Sequence, residues 1–402
     1  MGLPDIKPQT QIAYLNSELY AGKEEEFAIS HVSKLTGMSE VFVRKACGRK
    51  RHLSIDDIKR LLDMDCYSET FVPRSRIIEY LLNDKDNAVD CASQVCTSRD
   101  YQLTRGNALD LIRSLPNESV SCVVTSTPYW GMRLYKDAYI VKWADGDRCV
   151  YGHEQTPEAF IRHSIEILAY LSDKLKPDAS VWWNIMDSFN TRTQIRGNAS
   201  EALRAMQGKD KKSWGDHQCR RYSAGHSFLK DGEQCMIPGR IAERASRLGY
   251  YVKSTITWAK TSSLPEPQES RVSRNLEYIM HFTKQRTPKF NKDAYRSLHP
   301  DLGGRNPQLE TDKLSDVWIF STSSGRDGHG AQFPMALPAR CIALSTDVND
   351  LVLDPFVGAG NAGVASRLLS RRFMGFDVSD EYLEIAASRI NDSSSQLPLF
   401  AA

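Results

Sequence analysis

From about residue 101 onward, short apolar runs alternate with longer amphipathic runs, and this alternation restricts the possible folds more than any other feature of the chain. The short runs are rich in β-branched and aromatic residues, as in SCVVTS, SVWWNIM, LVLDPF and FMGFDV. The longer runs have helical apolar spacing, as in PEAFIRHSIEILAYLSDKL and PGRIAERASRLG. Strands and helices that alternate in this way form a mostly parallel sheet covered by helices on both faces. We therefore predict an α/β, doubly wound sheet over residues 101–391.

The N-terminal part of the chain has a different pattern, and we predict a small helical domain over residues 1–85. Its run EEEFAISHVSKLTGMSEVFVRKACG has helical apolar spacing that TGMS interrupts, where Gly37 can end one helix and Ser39 can cap the next. Ser54 can cap a further helix. This pattern is typical of a helix-turn-helix unit, although a three-helix bundle without a DNA role fits the same residues.

Two polar stretches flank the predicted sheet domain. Residues 86–100 are aperiodic and are predicted to form a linker, and residues 392–402 are predicted to form a flexible tail. The tail contains QLPLF, Gln396 to Phe400, which resembles the short peptide that docks bacterial replication proteins on the sliding clamp. Peptide-in-groove binding needs such exposed apolar anchors, but the same residues could pack on the protein's own surface.

Composition excludes several classes of protein. The chain has 402 residues, of which 41% are hydrophobic and 25% charged, and no apolar run approaches the about 20 residues of a membrane span. The N-terminus lacks the features of a signal peptide, so we predict a cytoplasmic protein. The nine cysteines are scattered and lack metal-ligand spacing, so neither a disulfide framework nor a metal site is predicted.

Two long polar regions, 191–235 and 285–325, interrupt the alternation of strands and helices. Insertions of this kind in a compact domain are binding loops or disordered segments. The net charge is only +2, but the first region contains a basic run interleaved with aromatic residues. Such runs contact nucleic-acid phosphates, although a solvated surface explains the charge equally well. The predicted phosphate contacts are Lys211, Lys212, Arg220 and Arg221.

One predicted strand end has the features of a nucleoside site. In LVLDPFVGAGNAGVASRLL the strand ends at Asp354, and Gly358, Gly360 and Gly363 lead into a helix. Ligands bind at the carboxyl ends of strands in such sheets. The glycine spacing also fits a dinucleotide, but an aspartate would repel a pyrophosphate. With Asp377 ending the next strand and able to accept ribose hydroxyls, S-adenosylmethionine, a nucleoside with a cationic tail, fits better.

A second strand end, VVTSTPYWGMR, combines a hydroxyl, a proline and an aromatic ring. The strand ends near Ser126, and Pro128 and Tyr129 follow at once. A planar heterocycle could stack on Tyr129 while its exocyclic amine donates to Ser126 and to a backbone carbonyl. Those acceptors would align the amine for attack on a methyl group, which matters because a conjugated amine is a poor nucleophile.

In combination, these motifs resemble the β class of amino-methylating DNA methyltransferases. That family has a (Asp/Asn/Ser)-Pro-Pro-(Tyr/Phe) motif and an Asp-Pro-Phe-x-Gly-x-Gly cofactor loop, in the permuted order found here. GNALDL and HGAQFPMALPARCI match two further motifs, and WWNIMDSF and LEYIMHFTK fit accompanying strands. The resemblance covers about residues 101–391.

The resemblance implies a Rossmann-like methyltransferase sheet with circularly permuted motif order. It implies transfer of a methyl group from S-adenosylmethionine to a base amine of double-stranded DNA, after the base has been flipped out of the helix. The implied amine site comprises Ser126, Thr127, Pro128 and Tyr129. The implied cofactor site comprises Asn107, Phe333, Pro334, Asp354, Phe356, Gly358, Gly360 and Asp377.

The resemblance also bears on the target. A serine at the first motif position is commoner among cytosine-N4 enzymes, so we predict the N4 amine of cytosine, with the N6 amine of adenine as the alternative. The family places target recognition in the region corresponding to residues 285–325. A cognate restriction endonuclease in a bacterial or phage-infected cell is a further candidate partner.

Two positions depart from the family pattern. Thr127 replaces the first proline of the catalytic motif, and Asn107 replaces an aspartate of the cofactor site. If both changes are crippling, the protein is a catalytically inactive methyltransferase-like DNA-binding regulator. Methylation of RNA or of a protein glutamine is a third alternative. Methylation at carbon 5 of cytosine is not expected, because none of the 17 prolines precedes a cysteine nucleophile.

Overall fold

The computed structural model of the chain describes residues 93–131, 139–144, 148–154, 156–190, 229–230, 232–261, 270–322 and 333–393, together with 26–30 and parts of 40–57. Strands β1 to β13 are, in chain order, Glu26–Ala28, His52–Ser54, Ser93–Thr97, Tyr101–Arg105, Val120–Ser126, Val141–Lys142, Arg148–Cys149, Leu175–Ile185, Tyr251–Lys260, Leu276–Thr283, Val317–Phe320, Leu351–Asp354 and Arg372–Asp377. Helices α1 to α7 are Ala108–Ser114, Pro157–Lys174, Ile237–Leu248, Lys292–Ser297, Ala336–Ser345, Asn361–Leu368 and Asp380–Asp392.

Nine of these strands form one sheet in the order β11-β9-β10-β8-β5-β12-β13-β4-β3. The pairs β8/β5, β5/β12, β12/β13, β13/β4 and β11/β9 are parallel, whereas β10 is antiparallel to both neighbours and β3 is an antiparallel edge strand. The predicted α/β doubly wound fold is confirmed. Because seven strands run in the same direction, their carboxyl ends meet at one edge of the sheet, here called the carboxyl edge.

Both faces of the sheet are covered by helices, which explains why the central strands are apolar almost throughout. In β5, Val123 belongs to the core on the side of α1, α2 and α3, while Cys122 and Val124 belong to the core on the side of α5, α6 and α7. In β8, Trp183 and Trp182 divide in the same way. Successive side chains of a strand point to opposite faces, so each central strand contributes to two cores.

Local signals define the helix ends. The Thr156 side chain accepts a hydrogen bond from Ala159 N at 3.1 Å and caps α2, whose first residue is a proline. Helix α3 ends at Gly249, which adopts the left-handed conformation with φ of 109°. None of the helices within the described ranges has the combination of length and apolar character that crossing a membrane requires.

The predicted linker, residues 86–100, is wrong in its second half. Residues 93–97 form β3, which pairs antiparallel with β4, so the sheet domain begins near residue 93 rather than 101. The residues of 97–100 are exposed. Exposed residues at the edge of a sheet need not follow the apolar alternation that identifies central strands, which is why this segment has the composition of a linker.

The predicted N-terminal helical domain contains an element that its pattern did not indicate. Strands β1 and β2 pair antiparallel, with Glu26 opposite Ser54. The Ser54 hydroxyl accepts from Asp57 N at 3.2 Å and the Asp57 carboxylate accepts from Ser54 N at 3.1 Å. This reciprocal bonding is that of a helix capping box. Most of 1–85 lies outside the described residues, so the helix-turn-helix stays a prediction.

The sequence predicts that the region 285–325 is irregular. Its described residues, 285–322, are instead folded against the sheet domain. It contains α4, β11 and a 3-10 turn over Pro300–Leu302. The buried Arg340 guanidinium anchors it by donating to Gly303 O at 2.6 Å and to the Glu310 carboxylate at 2.7 and 2.8 Å. The segment also packs Tyr295, Leu302, Trp318 and Phe320 into the core on the side of α5, α6 and α7, but most of its other residues are polar, which gives it the composition of a loop.

The beginning of this region lies at the edge of the sheet opposite the carboxyl edge. Strand β10 is antiparallel to β8, so the chain leaves it at that opposite edge. There the Lys289 ammonium binds the carboxylates of Asp347 at 2.8 Å and Asp350 at 2.9 Å, just before β12 begins. The first part of 285–325 is therefore remote from the strand ends where ligands bind.

Candidate active site

The motif Ser126-Thr127-Pro128-Tyr129 lies at the carboxyl edge in the middle of the sheet. Ser126 is the last residue of β5, which lies between β8 and β12, and Thr127 is buried. Ser126 is opposite Asn184 of β8 in the strand register. The strand thus presents its final hydroxyl, the Thr127 carbonyl and the Tyr129 ring at the position where an open α/β sheet binds ligands.

The Ser126 and Tyr129 hydroxyls belong to a network of five polar side chains. Ser126 Oγ lies 3.2 Å from Tyr129 Oη, and Tyr129 Oη donates to Glu277 Oε2. Asn184 Nδ2 lies 2.8 Å from Tyr129 Oη, 2.7 Å from Glu277 Oε2 and 3.3 Å from Ser126 Oγ. Lys260 Nζ forms an ion pair of 2.6 Å with Glu277 Oε1.

Three members of this network were missed by the sequence analysis: Asn184, Lys260 and Glu277. They lie on β8, β9 and β10, and the antiparallel direction of β10 brings its second residue, Glu277, to the carboxyl edge. Each is a polar residue near the end of an otherwise apolar run, a signal visible in WWNIM, ITWAK and LEYIM. Local pattern did not reveal that the three runs are neighbours.

A second loop supports the catalytic motif through hydrogen bonds and close packing. The buried Trp130 indole donates to Glu154 O at 2.9 Å, and Gly131 N donates to Gly152 O at 2.9 Å. A Cβ at Gly152, which has a φ of +91°, would lie 3.1 Å from Pro128 Cβ. The backbone at this point must therefore be left-handed and close, which only glycine allows without strain.

Three side chains of metal-ligating type lie in and beside this loop, since Cys149 ends β7, Glu154 lies in the loop and His163 lies on α2. The ligand atoms of Cys149, Glu154 and His163 lie within 4.8 Å of one another. However, the Glu154 carboxylate already accepts from Gly152 N at 3.0 Å and lies 2.9 Å from His163 Nδ1, and the His163 ring stacks on Trp143. Hydrogen bonding and stacking account for the cluster, so the absence of a metal site stays a prediction.

Asp354 ends β12, the strand beside β5, and is 1% exposed. Its Oδ1 accepts from Thr125 Oγ1 at 2.7 Å and from Phe356 N at 3.1 Å. Burial, assisted by the charge of Asp377, raises the pKa of Asp354 to about 7, although these two hydrogen bonds oppose the shift. The residue before Ser126 thus binds the carboxylate of the predicted cofactor loop directly.

Asp377 ends β13, one strand further along the sheet. Its Oδ2 accepts from Gly358 N at 3.0 Å and its Oδ1 accepts from Ser379 N at 3.0 Å. A carboxylate has about four lone-pair sites, so these two contacts are compatible with a role of Asp377 in accepting a ligand hydroxyl. The two strand-end aspartates therefore lie on adjacent strands, as predicted.

Glycine is required at three positions of the cofactor loop for different structural reasons. Gly358 and Gly360 both have left-handed φ values, of +48° and +84°. A Cβ at Gly358 would meet open space, whereas one at Gly360 would lie 2.8 Å from Ala386 Cβ of α7. A Cβ at Gly363 would collide with Ile390 of the same helix. Gly358 thus leaves room for a ligand, whereas close packing of α7 accounts for the other two.

The remaining predicted cofactor residues surround this loop. Asn107 caps α1, since its Oδ1 accepts from Leu109 N at 3.0 Å, and the preceding Gly106 N donates to Asp377 O at 2.9 Å. Phe333 and Pro334 precede α5, and Asn361 Nδ2 donates to Phe333 O at 2.7 Å. The bond from Asn361, the first residue of α6, ties the Phe-Pro motif to the glycine loop, a connection that the sequence analysis missed.

These residues fit S-adenosylmethionine. A Cβ at Gly358 would meet open space, so a ligand can approach closely there, the Asp377 carboxylate at the end of β13 has the chemistry to accept ribose hydroxyls, and Asp354 offers a buried negative charge for a cationic group. Phe356 contributes a ring that stacks on Tyr151 with centroids 5.5 Å apart. The predicted phosphate contacts Lys211, Lys212, Arg220 and Arg221 lie outside the described residues, as does the tail peptide Gln396 to Phe400.

Comparison with known proteins identifies the family. A model of the N6/N4 methyltransferase type, described as DNA methylase, matches residues 120–388. The chain belongs to this DNA methylase family. Type II methyltransferase M.Cfr9I of Citrobacter freundii is 31% identical over 300 residues, which cover 75% of this chain and 91% of that protein. Type II methyltransferase M.XycI of Xanthomonas campestris pv. cyanopsidis is 32% identical over 304 residues, which cover 76% and 92%.

A solved structure of the same DNA methylase architecture confirms the fold. PvuII DNA methyltransferase (cytosine-N4-specific) superposes with a TM-score of 0.51 at 20% sequence identity, covering 76% of this chain and 94% of that one. The predicted family, fold and cofactor are confirmed: this DNA methylase is a methyltransferase that uses S-adenosylmethionine and acts on DNA.

Proposed function

We propose that the protein methylates the N4 amine of a cytosine that is flipped out of double-stranded DNA at a specific sequence. The observation that carries this proposal is Ser126, a neutral hydroxyl at the first position of the catalytic motif and at the carboxyl end of a central strand. Serine at this position is commoner among cytosine-N4 members of the family, as the sequence analysis noted.

In the proposed reaction the site aligns the amine. The target amine donates one hydrogen bond to Ser126 Oγ and one to the Thr127 carbonyl, while the pyrimidine stacks on the Tyr129 ring. Acceptors so placed stabilise the positive charge that develops on the attacking nitrogen. Pro128 follows the Thr127 carbonyl and limits the rotation of its peptide. Tyr129 offsets part of the few kcal/mol lost when the base leaves the stack.

The cofactor is held by the two strand-end aspartates and the residues around them. When bound, S-adenosylmethionine supplies a methyl group from its sulfonium, and transfer leaves a neutral thioether while the amine releases one proton. Asp377 accepts the ribose hydroxyls, and Asp354 provides the negative charge near the cationic part. The supporting residues are Asn107, Phe333, Pro334, Phe356, Gly358 and Gly360.

The names of the relatives support a biological setting for this proposal. Both curated relatives are named Type II methyltransferases, so we include in the proposal a restriction-modification role in the cytoplasm of a bacterial or phage-infected cell, with a cognate restriction endonuclease. Docking of Gln396 to Phe400 on the sliding clamp is a separate proposal, and unchanged clamp affinity after deletion of these five residues would refute it.

The test is direct detection of the product. The purified protein is incubated with mixed-sequence duplex DNA and isotope-labelled S-adenosylmethionine, and the DNA is digested to nucleosides for mass spectrometry. We expect label in N4-methylcytosine. Label in N6-methyladenine would refute the base assignment, and no label from a protein that binds the cofactor would favour the inactive regulator.

A further inference from the structure

We propose that Glu277 acts as a positioning residue: through the Tyr129 hydroxyl it makes Ser126 present a lone pair, rather than its proton, to the target amine. The inference rests on the proposed function, since it concerns the amine that Ser126 receives. A serine hydroxyl is both donor and acceptor, so the identity of the residue alone leaves its direction open.

Glu277 is 7% exposed and ion-paired with Lys260. Buried carboxylates are stable when they are paired in this way. An ionised carboxylate only accepts hydrogen bonds. Its contact with Tyr129 therefore fixes the single hydroxyl proton of the tyrosine in the bond toward Glu277.

The direction then propagates from Tyr129 to Ser126. With its proton engaged, Tyr129 Oη can only accept from its other neighbours. One is Asn184 Nδ2 at 2.8 Å, whose nitrogen must also face the Glu277 carboxylate at 2.7 Å because an amide oxygen there would be repelled. Another is Ser126 Oγ at 3.2 Å, and this contact is a hydrogen bond only if Ser126 donates.

The direction of the Ser126 proton determines what the hydroxyl offers to the substrate amine. With its proton directed at Tyr129, Ser126 Oγ keeps lone-pair capacity for a substrate N–H, beyond the weaker contact from Asn184 Nδ2 at 3.3 Å. If the direction were reversed, the Ser126 O–H would face the donating amine, and two donors would oppose each other. Glu277 thus selects the productive direction without touching the amine.

The experiment is a double-mutant cycle between Glu277→Gln and Tyr129→Phe. A glutamine keeps the shape of the side chain but donates through its amide, so Tyr129 is no longer forced to donate toward it. A phenylalanine keeps the ring for stacking but removes the hydroxyl that transmits the direction. We expect each variant to lower the single-turnover methylation rate at saturating DNA on the order of 10²-fold, with cofactor affinity by calorimetry within about twofold of the wild type.

The methylation rate of the double variant shows whether Glu277 and Tyr129 act through one chain of hydrogen bonds or independently. We expect the double variant to lose no more than the slower single variant, because both changes break one chain of bonds. Losses that multiply, or a wild-type rate in either single variant, would overturn the inference. Tyr129→Phe keeps the test open if Glu277→Gln does not fold.

A matched control separates positioning from stability. Glu158 forms a buried ion pair of 2.9 Å with Arg240, with side chains 7% and 11% exposed, and takes no part in the site. Glu158→Gln should lower thermal stability while leaving the single-turnover rate unchanged. If the wild type itself yields no methylated base, the proposed function fails; if it yields product and Glu277→Gln does so equally fast, the inference alone fails.

Discussion

At the scale of single residues, Ser126 is the group that would touch the amine. We expect Ser126→Ala to lower the methylation rate on the order of 10²-fold, because the amine loses one of its two acceptors, with cofactor affinity unchanged. Calorimetry with S-adenosylmethionine and a single-turnover assay measure the two quantities. Ser119→Ala, just before β5, removes a hydroxyl that bonds only Pro116 O within the described contacts and should keep full activity. Full activity in Ser126→Ala would contradict the assignment of the site.

The raised pKa of Asp354 predicts that the free energy of unfolding depends on pH. Its pKa rises from an ordinary 3.8 to about 7 on folding, so between these values the folded protein binds a proton that the unfolded chain has lost. The stabilisation is complete below about pH 4 and is lost as pH rises through about 7. Relative to Asp354→Asn, the wild type should lose on the order of 2 kcal/mol of unfolding free energy between pH 5 and pH 8.

Urea denaturation of both proteins at these two pH values measures this difference. Asparagine keeps an acceptor for Thr125 and Phe356, so the variant isolates the charge. An equal change in both proteins would show that Asp354 is ionised throughout this range.

At the scale of elements, the described residues that lead into β10, 270–275, lie at the carboxyl edge close to Glu277. Arg271 Cζ lies 3.5 Å from the centre of the Phe189 ring, Arg274 Nη1 donates to Asp187 O at 2.9 Å, and Val272 is 88% exposed. We expect Arg271→Ala to weaken DNA binding and to reduce the salt slope of the affinity by about one, because an arginine beside the amine site is placed to contact one phosphate of the DNA that we propose binds there.

The matched control for that prediction is Arg296→Ala. Arg296 lies on α4, which follows the opposite edge of the sheet, and its side chain is 65% exposed. Fluorescence anisotropy with labelled duplex at several salt concentrations measures both variants. If Arg296→Ala weakens binding and Arg271→Ala does not, recognition belongs to 285–325, as the sequence analysis predicts.

The strands also show which parts of the fold and of the site could be predicted from the sequence alone. The central strands were predictable because both of their faces are buried, which makes runs such as that around Val123 continuously apolar. The partnership of Ser126 with Glu277 was not, because 148 residues separate Tyr129 from Glu277 and strand order is set by packing rather than by local pattern. Edge strand β3 was not predicted because its sequence, SQVCT, lacks the continuous apolar run of the central strands.

At the scale of the whole molecule, the sheet consists of two halves that meet between β5 and β12. The half formed by β12, β13 and β4 carries the predicted cofactor site. The half formed by β5, β8, β10 and β9 carries the network of five polar side chains around Ser126 and Tyr129. Thr125 Oγ1 donates across the boundary to Asp354 Oδ1 at 2.7 Å, with both side chains buried. The bond therefore sets how one predicted subsite is aligned with the other.

We expect Thr125→Val to lower the unfolding free energy by about 1–3 kcal/mol, because the buried Asp354 carboxylate loses one of its two hydrogen-bond donors and keeps only Phe356 N. Thr125→Ser keeps the hydroxyl and serves as the control, with a smaller loss from the missing methyl group. Equilibrium denaturation at pH 8, where Asp354 is mostly ionised, gives the comparison. A valine variant as stable as the serine variant would rule out this bond as a link between the halves.

The antiparallel edge strand has a consequence for attaching probes and fusion partners. Because β3 pairs Ser93 with Arg105, the chain enters the catalytic domain at the carboxyl edge, on the side of the cofactor loop. The last helix ends at the other edge, where Tyr101 Oη donates to Asn391 Oδ1 at 3.0 Å. A fluorophore or surface tether joined after residue 393 would therefore leave the reactive side accessible, whereas the same attachment just before residue 93 would stand beside it.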